Sequence, residues 1–260
     1  MTSRNQVGGD VELAGDIAAR AGELLLELRS GWSWSGTVPD RELGRRGDRE
    51  SNELILSVLA EQRPEDAVLS EESADLPDRL TADRVWIIDP LDGTREFSIP
   101  DRADWAVHVA LWVKGRGISA AAVAQPALAR TFTSGTPQDA GEPVSTTGVM
   151  LVSDSRPPAF AGGVADRVGL QLAQMGSAGA KAMAVVRGDA AAYLHAGGQW
   201  EWDSAAPVGV ALSAGLHASR LDGSPLLYNQ ERPYLPDLLI CRRKLAAPIL
   251  EAVAHFGGAG

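Results

Sequence analysis

Trp86-Ile87-Ile88-Asp89-Pro90-Leu91-Asp92-Gly93-Thr94-Arg95-Glu96-Phe97 is the stretch on which the reading of this chain turns. The apolar run from Val85 to Ile88 predicts a buried strand. Two carboxylates, Asp89 and Asp92, follow on either side of Pro90 and Leu91, and then comes Gly93-Thr94. A strand that ends this way presents two hard oxygen ligands and an open backbone turn at a sheet edge. Hard divalent cations such as Mg²⁺ take such ligands, and a phosphate needs exposed N–H groups. The stretch therefore predicts a Mg²⁺-dependent phosphatase site.

Upstream of it, Ala67-Val68-Leu69-Ser70-Glu71-Glu72 predicts a short strand ending in two carboxylates. Adjacent strand residues face opposite sides, so at most one of Glu71 and Glu72 reaches a shared site directly. A lone Glu-Glu pair also fits a solvated loop. Apolar residues at helical spacing from Asp10 to Leu28 predict an amphipathic helix, with Asp10 as N-cap and Gly31 just beyond its end. Residues 31–47 hold Trp32, Trp34, several glycines and Pro39 and read as a loop or short hairpin. Asp48 then opens a second helix that Pro64 stops, and on pattern alone it is a helix cap.

Downstream, Trp105–Val113, Ile118–Ala124 and Arg130–Thr133 predict strands of an antiparallel meander, with His108 packed inside it. Residues 135–148, rich in Gly, Pro, Thr and Ser, predict the crossing between two halves, 1–146 and 147–260. The second half alternates: a strand at Met150–Ser153, a helix over Phe160–Ala173, a short helix at Ala180–Val186, a strand at Ala190–Leu194 and a helix at Asp203–Ala214. Pro207 in that last helix is tolerable only near its first turn. Such alternation predicts a second α/β layer with parallel or mixed pairing.

The chain has 260 residues, enough for a sizeable core. Its 24 Lys and Arg against 34 Asp and Glu give a formal charge of −10. There is no basic footprint for nucleic acid and no polybasic patch for a membrane surface. An acidic chain still accepts an anionic substrate where bound metal inverts the local charge. Cys241, the single cysteine, permits no internal disulfide and no cysteine-based zinc site, which fits a reducing cytoplasm. Residues 1–9 show no apolar secretory segment, and no apolar run approaches the ~20 residues of a membrane span. A cytoplasmic location is the expectation.

Phosphoryl transfer needs cations that neutralise charge and a nucleophile held in line. A carboxylate bridging two metals serves both needs. Asp89 is the natural bridge, Asp92 reaches the other side of the turn, and the Leu91 carbonyl offers a neutral oxygen between them. Asp203, in Trp200-Glu201-Trp202-Asp203-Ser204-Ala205-Ala206, is the distant fourth acid beside Glu71. The D-x-x-D spacing does not suit a haloacid-dehalogenase-type nucleophile, which needs D-x-D. Residues 89–100 do not follow the EF-hand pattern.

Gly47-Asp48, Leu69-Ser70-Glu71-Glu72, the 86–97 stretch and Trp202-Asp203-Ser204-Ala205-Ala206-Pro207 together resemble the inositol monophosphatase superfamily. Within it the chain most resembles the CysQ-type 3′-phosphoadenosine 5′-phosphate (PAP) phosphatases, actinobacterial members especially. Gly176–Met183 and Leu221–Asn229 carry that closer likeness. The resemblance implies a layered αβαβα sandwich of the inositol monophosphatase and fructose-1,6-bisphosphatase type. It implies two or three Mg²⁺ ions, with Mn²⁺ as a substitute and Li⁺, and in some members Na⁺, inhibitory. Glu71, Asp89 and the Leu91 carbonyl would hold the first ion, Asp89, Asp92 and Asp203 the second, and Glu71 a third through water. Asp48 and Thr94 would activate the attacking water, Gly93 and Thr94 would bind phosphate through backbone N–H groups, and Glu72 would stand behind the ligands.

For the substrate, the resemblance implies PAP, with PAPS beside it, giving AMP (or APS) and phosphate in sulfate assimilation. The inositol-specific branch has a glutamate where this chain has Ala196, which argues against inositol phosphate. Ser177 and Lys181 match pocket residues of the CysQ type. Lys181 is either a partner for the second phosphate or a surface lysine at a helix start. Trp200 and Trp202 either stack on a base or belong to the core, the core being favoured. A broader phosphatase acting on inositol phosphates or fructose 1,6-bisphosphate remains open, as does a homodimer. A non-enzymatic phosphometabolite-binding protein would lack some of these acids, and all are present.

Overall fold

The structure is a computed structural model and describes residues 2–135 and 148–257. Residues 136–147 of the expected crossing lie outside the described residues. Strands β1 (Ala67–Ser70), β2 (Arg84–Asp92), β3 (Ala106–Val113), β4 (Gly117–Gln125) and β5 (Arg130–Thr133) form one sheet in that order. β1 lies parallel to β2, and β2 to β5 form the antiparallel meander. A second sheet has the order β7-β6-β8-β10-β9, built from β6 (Val149–Ser153), β7 (Gln171–Met175), β8 (Ala192–Trp200), β9 (His217–Ser219) and β10 (Tyr234–Cys241). Its β6 runs parallel to both β7 and β8, whereas β10 is antiparallel to β8 and β9.

Residue alternation assigns the layers. On β2, Trp86 and Ile88 face α1 (Thr2–Ser30) and α2 (Arg41–Gln62). Val85 and Ile87 face the other way, into a core shared with α5 (Ala178–Arg187), α6 (Glu201–Ser213) and one face of the second sheet. On β10, Leu238 and Ile240 enter that shared core, while Leu239 and Cys241 pack with α4 (Ala161–Arg167) and α7 (Arg243–Gly257). The layers thus run helix, sheet, helix, sheet, helix, as the resemblance implies. Both sheets are covered on both faces, so β2 and β3 read as continuous apolar runs.

Several expectations are corrected. The first helix begins at Thr2, because Gly8-Gly9 does not break it. Asp10 therefore caps nothing; it is buried and pairs with Arg63 and Arg84. The second helix begins at Arg41 with Asp40 as its cap, accepting from the N–H groups of Glu42 and Leu43, so Asp48 lies inside the helix. The helix expected over Phe160–Ala173 stops at Arg167, and Gln171–Met175 is strand β7. Since α6 starts at Glu201, Pro207 sits in its second turn, past the place where a helix accepts proline without losing a bond. β9, β10 and α7 were not anticipated. Among the described residues no helix is long and apolar enough to cross a membrane.

Candidate active site

The end of β2 departs from regular strand geometry. Asp89 pairs with His108 and Asp92 with Ala106, so three steps along β2 answer two along β3. Pro90, which has no N–H to donate, lies inside this bulge. Residues three apart on an unbroken strand face opposite sides; the extra residue returns Asp92 to the side of Asp89. Gly93 then turns the chain at φ +89, a left-handed conformation that a side chain resists. The single helical turn α3 (Thr94–Phe97) follows.

Asp92 points at the start of α5. It accepts the hydroxyl of Ser177 at 2.5 Å and the N–H groups of Ala178 at 3.1 Å and Gly179 at 2.6 Å. His108 Nε2 lies 3.2 Å away. Burial alone would raise the Asp92 carboxyl, but His108, Ser177 and Lys181 hold it down at about 2. His108 is thus more than a packed core residue: it faces the site, and its Nδ1 lies 3.1 Å from the Trp202 carbonyl on α6.

α6 brings the distant acid. Asp203, in its first turn, accepts the Trp200 N–H at 2.6 Å. Oxygens of Asp89, Asp92 and Asp203 lie within 4.8 Å of one another. Burial pushes Asp203 up to about 6, with the charge of Asp92 adding to it. Asp89, fully buried and flanked by Glu71, Asp92 and Asp203, is raised well above the ordinary carboxylate range. Glu71 stands on the accessible lip of the same cleft, outside the tight trio. Lost solvation and the charges of Asp203, Asp48 and Glu72 push it up to about 8. Glu72, beside it, is exposed. Glu71, Asp89 and Asp203 are thus raised by burial and by neighbouring carboxylate charge, while His108 and Lys181 offset the charge of Asp92, and hard oxygens at this spacing are the donor set of a divalent cation.

α2 supplies the remaining acid. Thr94 Oγ1 donates to Asp48 Oδ1 at 3.0 Å and lies 3.2 Å from the Leu91 carbonyl. The helix comes this near because Gly44 and Gly47 face the turn. A Cβ on Gly44 would lie 2.9 Å from Thr94 Cγ2, and one on Gly47 2.9 Å from both Leu91 Cδ2 and Phe97 Cε1. Ser51 Oγ fastens the same helix to the Pro90 carbonyl at 2.7 Å. Burial pushes Asp48 up to about 7, the Thr94 hydrogen bond opposing and Glu72 assisting.

Glu71, Asp92, Gly93 and Asp203 line a cleft of about 470 Å³ whose walls also include Arg95, Arg156, Lys181, Trp200 and Tyr234. Lys181 is not a surface lysine. It is 4% exposed, and its ammonium donates to the carbonyls of Met175, Gly176 and Ser177 at 3.3, 3.2 and 2.7 Å. Trp202 packs against the shared core, but Trp200, 42% exposed, stacks on Trp202 and meets the edge of Tyr234 at the cleft wall. Sequence reasoning missed His108, Arg95, Arg156 and Tyr234, which no local pattern marks. A larger groove of about 930 Å³, lined by Val11, Glu12, Asp16 and Leu212 among others, lies away from this chemistry.

Comparison with known proteins agrees with this geometry. The model of the inositol monophosphatase family matches residues 11–255. A 3′-phosphoadenosine 5′-phosphate phosphatase of Mycobacterium leprae is 54% identical over 257 residues, covering 94% of this chain and 93% of that protein. Among solved structures, the inositol monophosphatase of Anabaena superposes with a TM-score of 0.76 at 18% identity, over 96% of this chain and 97% of that one. CysQ from Bacteroides thetaiotaomicron superposes at 0.74 with 25% identity, over 90% and 97%.

Proposed function

The chain belongs to the inositol monophosphatase family, and on that premise we propose that it is a divalent-metal-dependent phosphatase that removes the 3′-phosphate of PAP, leaving AMP and phosphate. One observation carries the reading: Asp89, Asp92 and Asp203 converge beside the Asp48–Thr94 pair, in a chain 54% identical to a protein named for that activity.

The crowded carboxylates fit Mg²⁺. Glu71, Asp89 and the Leu91 carbonyl would hold one ion, and Asp89, Asp92 and Asp203 another. When bound, these cations neutralise charge on the transferring phosphoryl group and acidify the attacking water. The chain's own residues do the rest. Asp48, with its carboxyl pushed up to about 7, accepts a proton near neutrality. Thr94 fixes Asp48 through its hydroxyl and, with Gly93, offers backbone N–H groups at the turn to phosphate oxygens. Ser177 and Lys181 bear on the substrate through the 175–178 turn they hold, Ser177 by anchoring Asp92 and Lys181 by tying three carbonyls. Arg95 and Arg156 add positive charge to the cleft wall, where a second phosphate would lie. Trp200 and Tyr234 offer aromatic surface to a nucleobase.

The test is phosphate release by the purified chain with Mg²⁺, comparing kcat/KM for PAP, inositol 1-phosphate and fructose 1,6-bisphosphate. PAP is expected to lead, and a preference for either of the others would overturn the substrate assignment. Adding Li⁺ to the same assay is expected to inhibit, as the family likeness implies.

A further inference from the structure

Outside the acidic cluster, Arg79, which is 1% exposed, donates from all three of its guanidinium nitrogens. Arg79 lies in a short 3₁₀ turn, Pro77–Leu80, on the connection that leaves Glu71 and Glu72. Its guanidinium grips Asp75 through Nε at 2.6 Å and Nη2 at 2.9 Å. Nη1 donates to Asn229 Oδ1 at 2.8 Å and Nη2 to the Gln230 carbonyl at 3.0 Å. Asn229 returns the contact, its Nδ2 donating to the Arg79 carbonyl at 3.1 Å. The backbone N–H groups of Asn229 and Gln230 in turn donate to the two oxygens of buried Glu201, at 2.6 and 2.8 Å. Glu201 is the first residue of α6, two positions before Asp203.

The assembly therefore runs from the connection behind Glu71, through Arg79, Asn229 and Glu201, to the helical turn that bears Asp203. It joins a loop of the first sheet to a loop of the second and to the helix between them. Glu71 and Asp203 line the same cleft and repel when both are ionised, so the segments that carry them tend to part unless something holds them. The Glu71 backbone N–H is held by a long bond to the Ile88 carbonyl, at 3.4 Å.

We propose that Arg79 and Asn229 are positioning residues that set the separation of Glu71 and Asp203, and so the affinity of the acidic cluster for its divalent cation. This rests on the metal reading of the site given above. A buried Arg that only pins two loops would contribute stability alone; one that sets the spacing of ligands also alters metal affinity, as residues behind metal ligands do by about 10–100-fold.

Asn229→Gly separates the two roles. Asn229 has φ 59, which glycine adopts freely, and the N–H bonds to Glu201 survive while the amide bridge to Arg79 is lost. Arg79→Lys is the second variant, keeping charge without the guanidinium fork. Arg220→Lys, at the remote Arg220–Asp237 pair, is the control. Each full-length protein is stripped of metal and titrated with Mg²⁺, reading the rise in Tm and, separately, the Mg²⁺ dependence of activity. For both hub variants the half-saturating Mg²⁺ is expected to rise by about 10–100-fold, with activity recovering at high Mg²⁺, while Arg220→Lys leaves the titration unchanged. A titration unchanged in Asn229→Gly and Arg79→Lys, against a responsive wild type, overturns the positioning role alone. A wild-type chain with no Mg²⁺-dependent shift overturns the metal reading and this inference with it.

Discussion

Thr94 Oγ1 donates to Asp48 Oδ1 at 3.0 Å, joining the turn after β2 to the middle of α2. The bond fixes the one carboxylate of the site that comes from the outer helical layer, and it leaves the second Asp48 oxygen for a proton. Replacement by asparagine keeps the shape and a hydrogen bond to Thr94 but removes the base. Asp48→Asn is expected to lower kcat by about 10²–10⁴-fold, with circular dichroism and Tm preserved. A kcat within a few-fold of wild type would show that proton acceptance lies elsewhere.

The approach that makes this bond depends on Gly44 and Gly47. Gly47→Ala would place a methyl 2.9 Å from Leu91 Cδ2 and from Phe97 Cε1, and either α2 or these buried side chains must shift to admit it. The expected result is a loss of about 1–3 kcal/mol in chemical denaturation together with a fall in kcat, because Asp48 moves with the helix. Arg45→Ala, on the exposed side of the same helix, should change neither. Full activity in Gly47→Ala would mean that the turn follows the helix.

These glycines also explain where the sequence misled. Local chemistry made the end of β2 legible: an apolar run, two hard-oxygen acids and a turn glycine stand within a dozen residues. Asp203 was legible for the same reason, through its own short motif. Gly44 and Gly47, however, look like loop residues to any local reading, and their purpose is a contact with residues half a hundred positions later. A local reading therefore starts the helix at Asp48 and makes that residue its cap, whereas the helix begins at Arg41 with Asp40 as cap. The expected helix runs on to Ala173, into strand Gln171–Met175, because the strand's parallel partner β6 lies on the far side of α4 and one strand's pattern does not disclose it. The places of His108 and Trp200 are likewise tertiary facts. An isolated histidine in a strand carries no mark that it will lie 3.2 Å from Asp92 and 3.1 Å from the Trp202 carbonyl of α6.

Trp200 separates base recognition from phosphate chemistry. Its indole is exposed in the cleft and braced by Trp202 at a ring distance of 5.4 Å. Stacking of a base on an aromatic side chain contributes about 1–3 kcal/mol, so Trp200→Ala is expected to reduce kcat/KM for PAP by roughly 5–150-fold. Hydrolysis of p-nitrophenyl phosphate, which has no base, should be unaffected. An equal loss on both substrates would place Trp200 among the supports of Asp203 rather than on the base.

Stability should depend on pH with a sign set by the raised carboxylates. Asp203 is pushed up to about 6, Asp48 to about 7 and Glu71 to about 8, with Asp89 well above its ordinary value, chiefly by burial. In the unfolded chain such groups release their protons near pH ~4. Between about pH 4 and 8 the metal-free native state therefore binds more protons than the unfolded state, and its stability falls as pH rises through that window. Asp92, held at about 2, acts in the opposite direction only below pH ~4, outside the window. The Tm of metal-stripped protein is thus expected to be higher at pH 5.5 than at pH 8. Because a cation favours the charged carboxylates, saturating Mg²⁺ should raise Tm more at pH 8 than at pH 5.5. A metal-free Tm that is flat or rises across this range, or a Mg²⁺ effect equal at both pH values, would show that these acids are not crowded without a counter-ion.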